Sequence, residues 1–118
     1  MKTKIVVIED NHDILELIGF ILENEDYEVI ASIDTEPIKS LAEINPHLIL
    51  LDENLGAEKG HKLCLQIKAN AGTAHLPVIL ISAVHDLPEI ARRCKADSYI
   101  SKPFLIEDLL DLVRQYHR

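Results

Sequence analysis

The sequence predicts an α/β domain with a doubly wound, five-stranded parallel sheet and five helices, and two observations carry the prediction. Short runs rich in β-branched residues alternate with longer segments of 3.6-residue period. Four of the five short runs are continuously apolar or nearly so, the pattern of parallel strands covered on both faces rather than of a half-wetted antiparallel sheet. Right-handed crossovers between five such βα units put helices on both sides of the sheet.

The elements follow in chain order. Ile5-Val6-Val7-Ile8 is the first strand, and Asn11 then caps a helix striped by Ile14, Leu17, Ile18 and Ile21 at i, i+3, i+4, i+7. Tyr27-Glu28-Val29-Ile30 is the second strand. A helix from Pro37 to Ile44 starts after Asp34-Thr35 and is stopped by Pro46. Leu48-Ile49-Leu50-Leu51 is the third strand, followed by a helix marked by Leu63, Cys64 and Ile67. After the fourth strand, Val78-Ile79-Leu80-Ile81, the pair Asp86 and Glu89 reads as a capping box for a short helix that tolerates Pro88 in its first turn. Ser98-Tyr99-Ile100 is the fifth strand, and Leu105, Ile106, Leu109, Leu110 and Val113 stripe a last helix running nearly to Arg118. Five βα units take up the length, so one domain over 1–118 is the expected organisation.

Composition narrows the function classes. Twelve Lys+Arg against 20 Asp+Glu give a net charge of −8, and 47% hydrophobic with 27% charged residues is ordinary for a soluble globular protein. A chain of this size hides roughly two-thirds of the surface its unfolded form exposes, enough for a core without disulfide or metal staples. The acidic surplus repels phosphate backbones and anionic lipid, so neither nucleic acid nor a membrane is an expected partner. Behind the basic Met1-Lys2-Thr3-Lys4, the apolar run ends at Ile8, too short for a signal peptide or a membrane span. Cys64 and Cys94 belong to no CxxC pair and read as buried free thiols in a reducing, cytoplasmic compartment. Six histidines, His12, His47, His61, His75, His85 and His117, show no ligand spacing and read as scattered surface residues, with His12 and His85 near the acidic edge described next.

In doubly wound sheets the ligand crevice lies beyond the carboxyl ends of the strands, at the topological switch point. Glu9-Asp10 follow the first strand, Asp52 the third, Ser82 the fourth and Lys102-Pro103 the fifth. Taken singly, Asp10 reads as a helix cap and Ser82 or Lys102 as solvated polar residues. Asp52 is harder to dismiss, because an unpaired carboxylate at the mouth of a sheet is costly. Taken together, three carboxylates, a hydroxyl and an ammonium converge on one edge. Clustered acids call for a hard cation, and Mg²⁺ takes one or two carboxylates with waters and phosphate oxygens. A screened carboxylate can then attack a phosphoryl group whose equatorial oxygens find Lys102 and the Ser82 hydroxyl.

These residues resemble the receiver domain of two-component response regulators, in its single-domain, chemotaxis-regulator-like form. The resemblance rests on Glu9-Asp10; on Asp52-Glu53-Asn54-Leu55 with Gly60 eight residues after the Asp; on Ser82-Ala83; and on Tyr99-Ile100-Ser101-Lys102-Pro103-Phe104. It implies a flavodoxin-like strand order 2-1-3-4-5, Asp52 as phospho-acceptor, and Mg²⁺ held by Glu9, Asp10, Asp52 and the Asn54 backbone carbonyl. It further implies that Ser82 and Lys102 contact the phosphoryl oxygens and that the Lys102-Pro103 bond is cis. The donor would be a sensor histidine kinase or a histidine phosphotransfer protein. On phosphorylation Ser82 would move inward and Tyr99 follow, switching the face of the fourth helix, fifth strand and fifth helix toward a downstream protein target or a second copy of the chain. Such a protein catalyses only the formation and loss of its own acylphosphate, and Asn54 and Val84 would tune water access to it.

Four positions depart from the family pattern. Glu9 stands where Asp is commoner, Gly56-Ala57 where Pro is frequent, Lys95 where Gly often ends the fourth helix, and Leu105 where Asp or Ser often caps the fifth. Two enzyme-like alternatives fit less well. A haloacid-dehalogenase-type phosphatase needs a second Asp two residues after its nucleophile, whereas Asp10 is followed by Asn11-His12; a flavodoxin needs a Ser/Thr/Gly-rich phosphate loop after Ile8. A receiver-fold interaction module that is never phosphorylated stays open, although it would have no use for the full set of reactive groups.

Overall fold

The computed structural model describes residues 2–116; His117 lies outside them. The strands β1 (Lys4–Ile8), β2 (Glu28–Ser32), β3 (Leu48–Asp52), β6 (Val78–Ser82) and β7 (Ser98–Ser101) form one parallel sheet in the order β2-β1-β3-β6-β7, the fold and order expected. A second, two-stranded antiparallel hairpin, β4 (Asn54–Leu55) with β5 (Glu58–Lys59), was not expected. The helices are α1 (His12–Asn24), α2 (Leu41–Ile44), α3 (Gly60–Ala69), α4 (Leu87–Arg93) and α5 (Ile106–Tyr116).

The period-2 alternation of the strands sorts the core into two halves. Val6, Ile8, Ile49, Leu51, Val78 and Leu80 face α2, α3 and α4, meeting Leu41, Leu63, Ile67 and Leu87. Ile5, Val7, Leu48, Leu50, Ile79 and Ile81 face α1 and α5, meeting Ile18, Leu22, Leu109 and Val113. All five residues of β3 and of β6 are buried, as a central strand covered on both sides requires. Each buried Leu or Ile contributes about 1.5–3 kcal/mol relative to leaving it in water, so these two layers hold the sheet and fix its carboxyl edge.

Several local expectations are corrected. The segment before α2 is a 3₁₀ turn, Glu36–Ser40, so the second helix is two short pieces; Thr35 makes no side-chain cap, and Pro37 suits a tight first turn. Asp86 likewise makes no side-chain cap to α4. The expected box is broken because the Glu89 carboxylate turns outward to Arg92 and Arg93. Leu17 in α1 and Leu105 and Ile106 at the start of α5 are exposed rather than core, because a helix packed on one side buries a narrower stripe than its apolar residues mark out. Asn11 does cap α1, its Oδ1 accepting the Ile14 N–H at 3.0 Å.

Lys95 completes the end of α4 in a Schellman motif: the Ala96 N–H donates to the Ala91 carbonyl and the Lys95 N–H to the Arg92 carbonyl. The motif places Lys95 at φ +63°, a left-handed conformation that costs a side chain about 1–2 kcal/mol. Lys95→Gly relieves that cost and gives back part of it as unfolded-chain entropy. The expected outcome is a gain of about 0.5–1 kcal/mol, read as a rise in thermal midpoint of a few degrees. An unchanged or lower midpoint would contradict it.

Candidate functional site

The order of the strands reverses between β1 and β3, and it is their carboxyl ends that carry Glu9-Asp10 and Asp52. Glu9 is fixed there twice, by its backbone and its side chain: its N–H donates to the Ser32 carbonyl at 3.1 Å, and its Oε2 accepts the Asn11 N–H at 3.2 Å. Since Asn11 caps α1, Asp10 is not needed as the cap. Carboxylate oxygens of Glu9, Asp10 and Asp52 lie within 4.8 Å of one another. Glu9 and Asp52 are buried, while Asp10 faces solvent.

Lys102 answers this charge. Its Nζ lies 2.7 Å from Glu9 Oε1 and 3.5 Å from Asp52 Oδ1. The Glu9 contact is off the angle of a hydrogen bond, so the fully buried Glu9 Oε1 has no hydrogen-bond partner among the described residues. Lys102 reaches this position because its backbone N–H donates to the Ser82 carbonyl at 2.8 Å, at the end of the β6–β7 ladder. The Lys102–Pro103 peptide bond is cis. Ser82 is itself buried at the strand end beside Asp52, and its Oγ accepts the Val84 N–H at 3.2 Å.

Burial pushes the Asp52 carboxyl up to about 7, helped by the neighbouring Glu9 carboxylate; the Lys102 ammonium and the Asn54 backbone pull the other way. The sign of the consequence is fixed. Between the ordinary carboxylate range and pH 7 the folded protein holds a proton that the unfolded chain has released, so the metal-free fold loses stability as pH rises across that window. Asp52→Asn removes the penalty, on the order of 2 kcal/mol once the open mouth of the site is allowed for. The variant is therefore expected to melt higher than the parent at pH 8 without divalent ions and about equally at pH 4; a parent that melts at or above the variant at pH 8 would contradict this.

Three carboxylates against one ammonium is a donor set that fits a hard, oxygen-seeking cation. Asn54 opens β4 two residues after Asp52, and its side-chain Oδ1 accepts Lys59 Nζ at 3.1 Å. Tyr99 stands on β7 with 41% of its surface exposed. Cys64 and Cys94 are free and buried, and burial holds the Cys64 thiol well above its usual range, which makes it a poor nucleophile. His12 and His85 are not buried and lie near this edge.

Two residues were missed. Glu53, directly after Asp52, is buried, and His61 is its partner rather than a plain surface histidine: Glu53 Oε2 lies 2.6 Å from His61 Nδ1 and Oε1 accepts the His61 N–H at 2.8 Å. The alternation of β3 signals the burial of Glu53, though not its partner: Ile49 and Leu51 face α3, so position 53 does too.

The response regulator receiver domain model matches residues 5–114. The chain is 38% identical over 115 residues to the response regulator ArlR of Staphylococcus saprophyticus, covering 95% of this chain and 51% of that protein. It is 28% identical over 117 residues to the DNA-binding response regulator MtrA of Mycobacterium tuberculosis, covering 97% and 50%. The chain thus spans about half the length of the curated relatives it matches. Among solved structures, the BeF₃-activated receiver domain of Klebsiella pneumoniae RstA superposes with a TM-score of 0.85 at 26% identity, covering 96% of this chain and 97% of that one. Vibrio cholerae chemotaxis protein CheY4 shares the fold, with a TM-score of 0.89 at 18% identity over 98% and 99% of the two chains.

Proposed function

The chain belongs to the response regulator receiver family, and from that premise we propose that Asp52 takes a phosphoryl group from a phosphohistidine donor in a Mg²⁺-dependent reaction. One observation carries the proposal: Glu9, Asp10 and Asp52 bring carboxylate oxygens within 4.8 Å of one another, with Lys102 Nζ against Glu9 and Asp52. Glu9, Asp10, Asp52 and the Asn54 carbonyl would hold the ion. When bound, Mg²⁺ supplies the positive charge that lets the carboxylates lie together and that offsets charge on the phosphoryl oxygens.

The chain's own residues do the rest. An Asp52 carboxylate oxygen attacks phosphorus in line with the donor's P–N bond; that bond breaks as the P–O bond forms, and the electron pair leaves on the donor imidazole, which takes up a proton. Lys102 Nζ, released from Asp52 as its charge is lost in the acylphosphate, pairs with a phosphoryl oxygen. The Ser82 hydroxyl is held by a neutral N–H donor from Val84 and would exchange that contact for a charge-assisted one to a phosphoryl oxygen. Its inward movement would let Tyr99 leave its exposed position, changing the face made by α4, β7 and α5 that a downstream protein reads. The donor class is a sensor histidine kinase or histidine phosphotransfer protein. Free buried thiols fit a cytoplasmic setting, and a net charge of −8 disfavours contact between these residues and a phosphate backbone.

Incubation with acetyl phosphate and Mg²⁺ is expected to add one phosphoryl mass, lost again on standing, with no gain when the ion is chelated. A gain that is indifferent to chelation would overturn the metal-dependent reading, and no gain under either condition would favour an interaction module.

A further inference from the structure

We propose that Glu53 is a positioning residue of this site: by clasping His61 it fixes the loop between Asp52 and α3 so that Asn54 faces the metal-binding carboxylates. The inference rests on the reading of the site above.

Glu53 is 4% exposed, and a carboxylate that deeply buried is tolerated only when its oxygens are matched. Here every polar group of the residue is engaged. Its N–H donates to the Ile81 carbonyl at 3.0 Å and its carbonyl accepts the Gly60 N–H at 2.8 Å, while its side chain takes the His61 N–H and meets the His61 ring. Helix α3 starts without a side-chain cap from Lys59, and Glu53 supplies that cap from across the loop. Only residues 54–59 lie between the two anchors, and they form a hairpin of two-residue strands turning at Gly56, φ +70°. So small a hairpin has little stability of its own. The position of Asn54, at the start of this hairpin and next to Glu53, therefore depends on the anchors. An apolar side chain at 53 would pack on the α3 stripe without any desolvation cost, so burial alone does not account for a charged pair here.

The test uses the full chain and its Glu53→Ala, Glu53→Gln and His61→Ala variants. Mg²⁺ is titrated into the unphosphorylated proteins while the Asn54 and Gly60 amide resonances are followed, and acetyl phosphate kinetics are split into KM and kcat. Glu53→Ala is expected to weaken Mg²⁺ binding by about tenfold, as loss of an outer residue that orients a ligand does. Glu53→Gln, which keeps an acceptor for the His61 N–H and a donor for the ring, is expected to restore most of the affinity, and His61→Ala to fall between. A purely structural role would lower the thermal midpoint and leave Mg²⁺ affinity at the parent value; that result in Glu53→Ala, or in His61→Ala should the former not fold, would overturn the inference. A parent protein that binds no Mg²⁺ would instead overturn the reading of the site, and this inference with it.

Discussion

Gly60→Ala is expected to be the most damaging single-methyl change in the protein. A Cβ at Gly60 would stand 2.2 Å from the Asp52 carbonyl oxygen and 3.0 Å from both the Asp52 carbonyl carbon and the Glu53 Cα. All three are backbone atoms of the strand end that carries the site, so no flexible side chain can swing aside. Helix α3 must lift off β3, and the Gly60 N–H to Glu53 carbonyl bond goes with it. Overpacking of a core costs about 1–3 kcal/mol where side chains can adjust, and this contact belongs at or above the upper end. The expected result is a thermal midpoint lower by roughly 10 °C and loss of phosphorylation, because the displaced atoms are those of Asp52 itself. Gly19 is the internal comparison. It lies within α1, where an added methyl would meet nothing within 4 Å, so Gly19→Ala should gain up to about 1 kcal/mol of helix propensity. If the two substitutions shift the midpoint by similar amounts, the close approach at Gly60 is not what the geometry says it is.

Lys102→Met is expected to have the largest effect on chemistry with the fold retained. It keeps most of the side chain's length and removes the ammonium that sits between Glu9 and Asp52. Without Mg²⁺ the loss leaves two buried carboxylates facing each other, and since Lys102 is partly exposed the cost is about 2 kcal/mol at pH 8. At pH 5 the cost shrinks, because Asp52, with its carboxyl pushed up to about 7, is then protonated. On phosphorylation the missing donor to the phosphoryl oxygen should slow the reaction by about 10² to 10³. Mass spectrometry over a time course with acetyl phosphate checks the rate, and melting curves at the two pH values check the stability. Equal rates for parent and variant would remove Lys102 from the site.

How much of this was legible in the sequence differs from element to element. The central strands were readable to within a residue, because four consecutive buried apolar residues leave little choice of period or of environment. The converging edge residues were readable for the same reason: a parallel sheet delivers every strand's last residue to one side. What failed was local and depended on geometry that periodicity does not carry. The stretch before α2 has helical spacing but Pro37 and Thr35 set a 3₁₀ turn instead. Glu89 was available to Arg92 and Arg93 as well as to a capping box, and exposed arginines won. Leu105 and Ile106 are apolar yet exposed, as surface leucines and isoleucines often are. The Glu53–His61 pair spans eight positions across a hairpin whose path Gly56 sets, and no spacing rule reaches across such a turn.

Asp52, and no other residue, is proposed to receive the phosphoryl group. The direct measurement is to phosphorylate the parent and Asp52→Asn with acetyl phosphate and Mg²⁺, reduce the acylphosphate with borohydride, and map the product by peptide mass. One modification per chain is expected, found as homoserine at position 52, and none in Asp52→Asn. A modification at another residue of the parent, or an undiminished mass gain in Asp52→Asn, would contradict it.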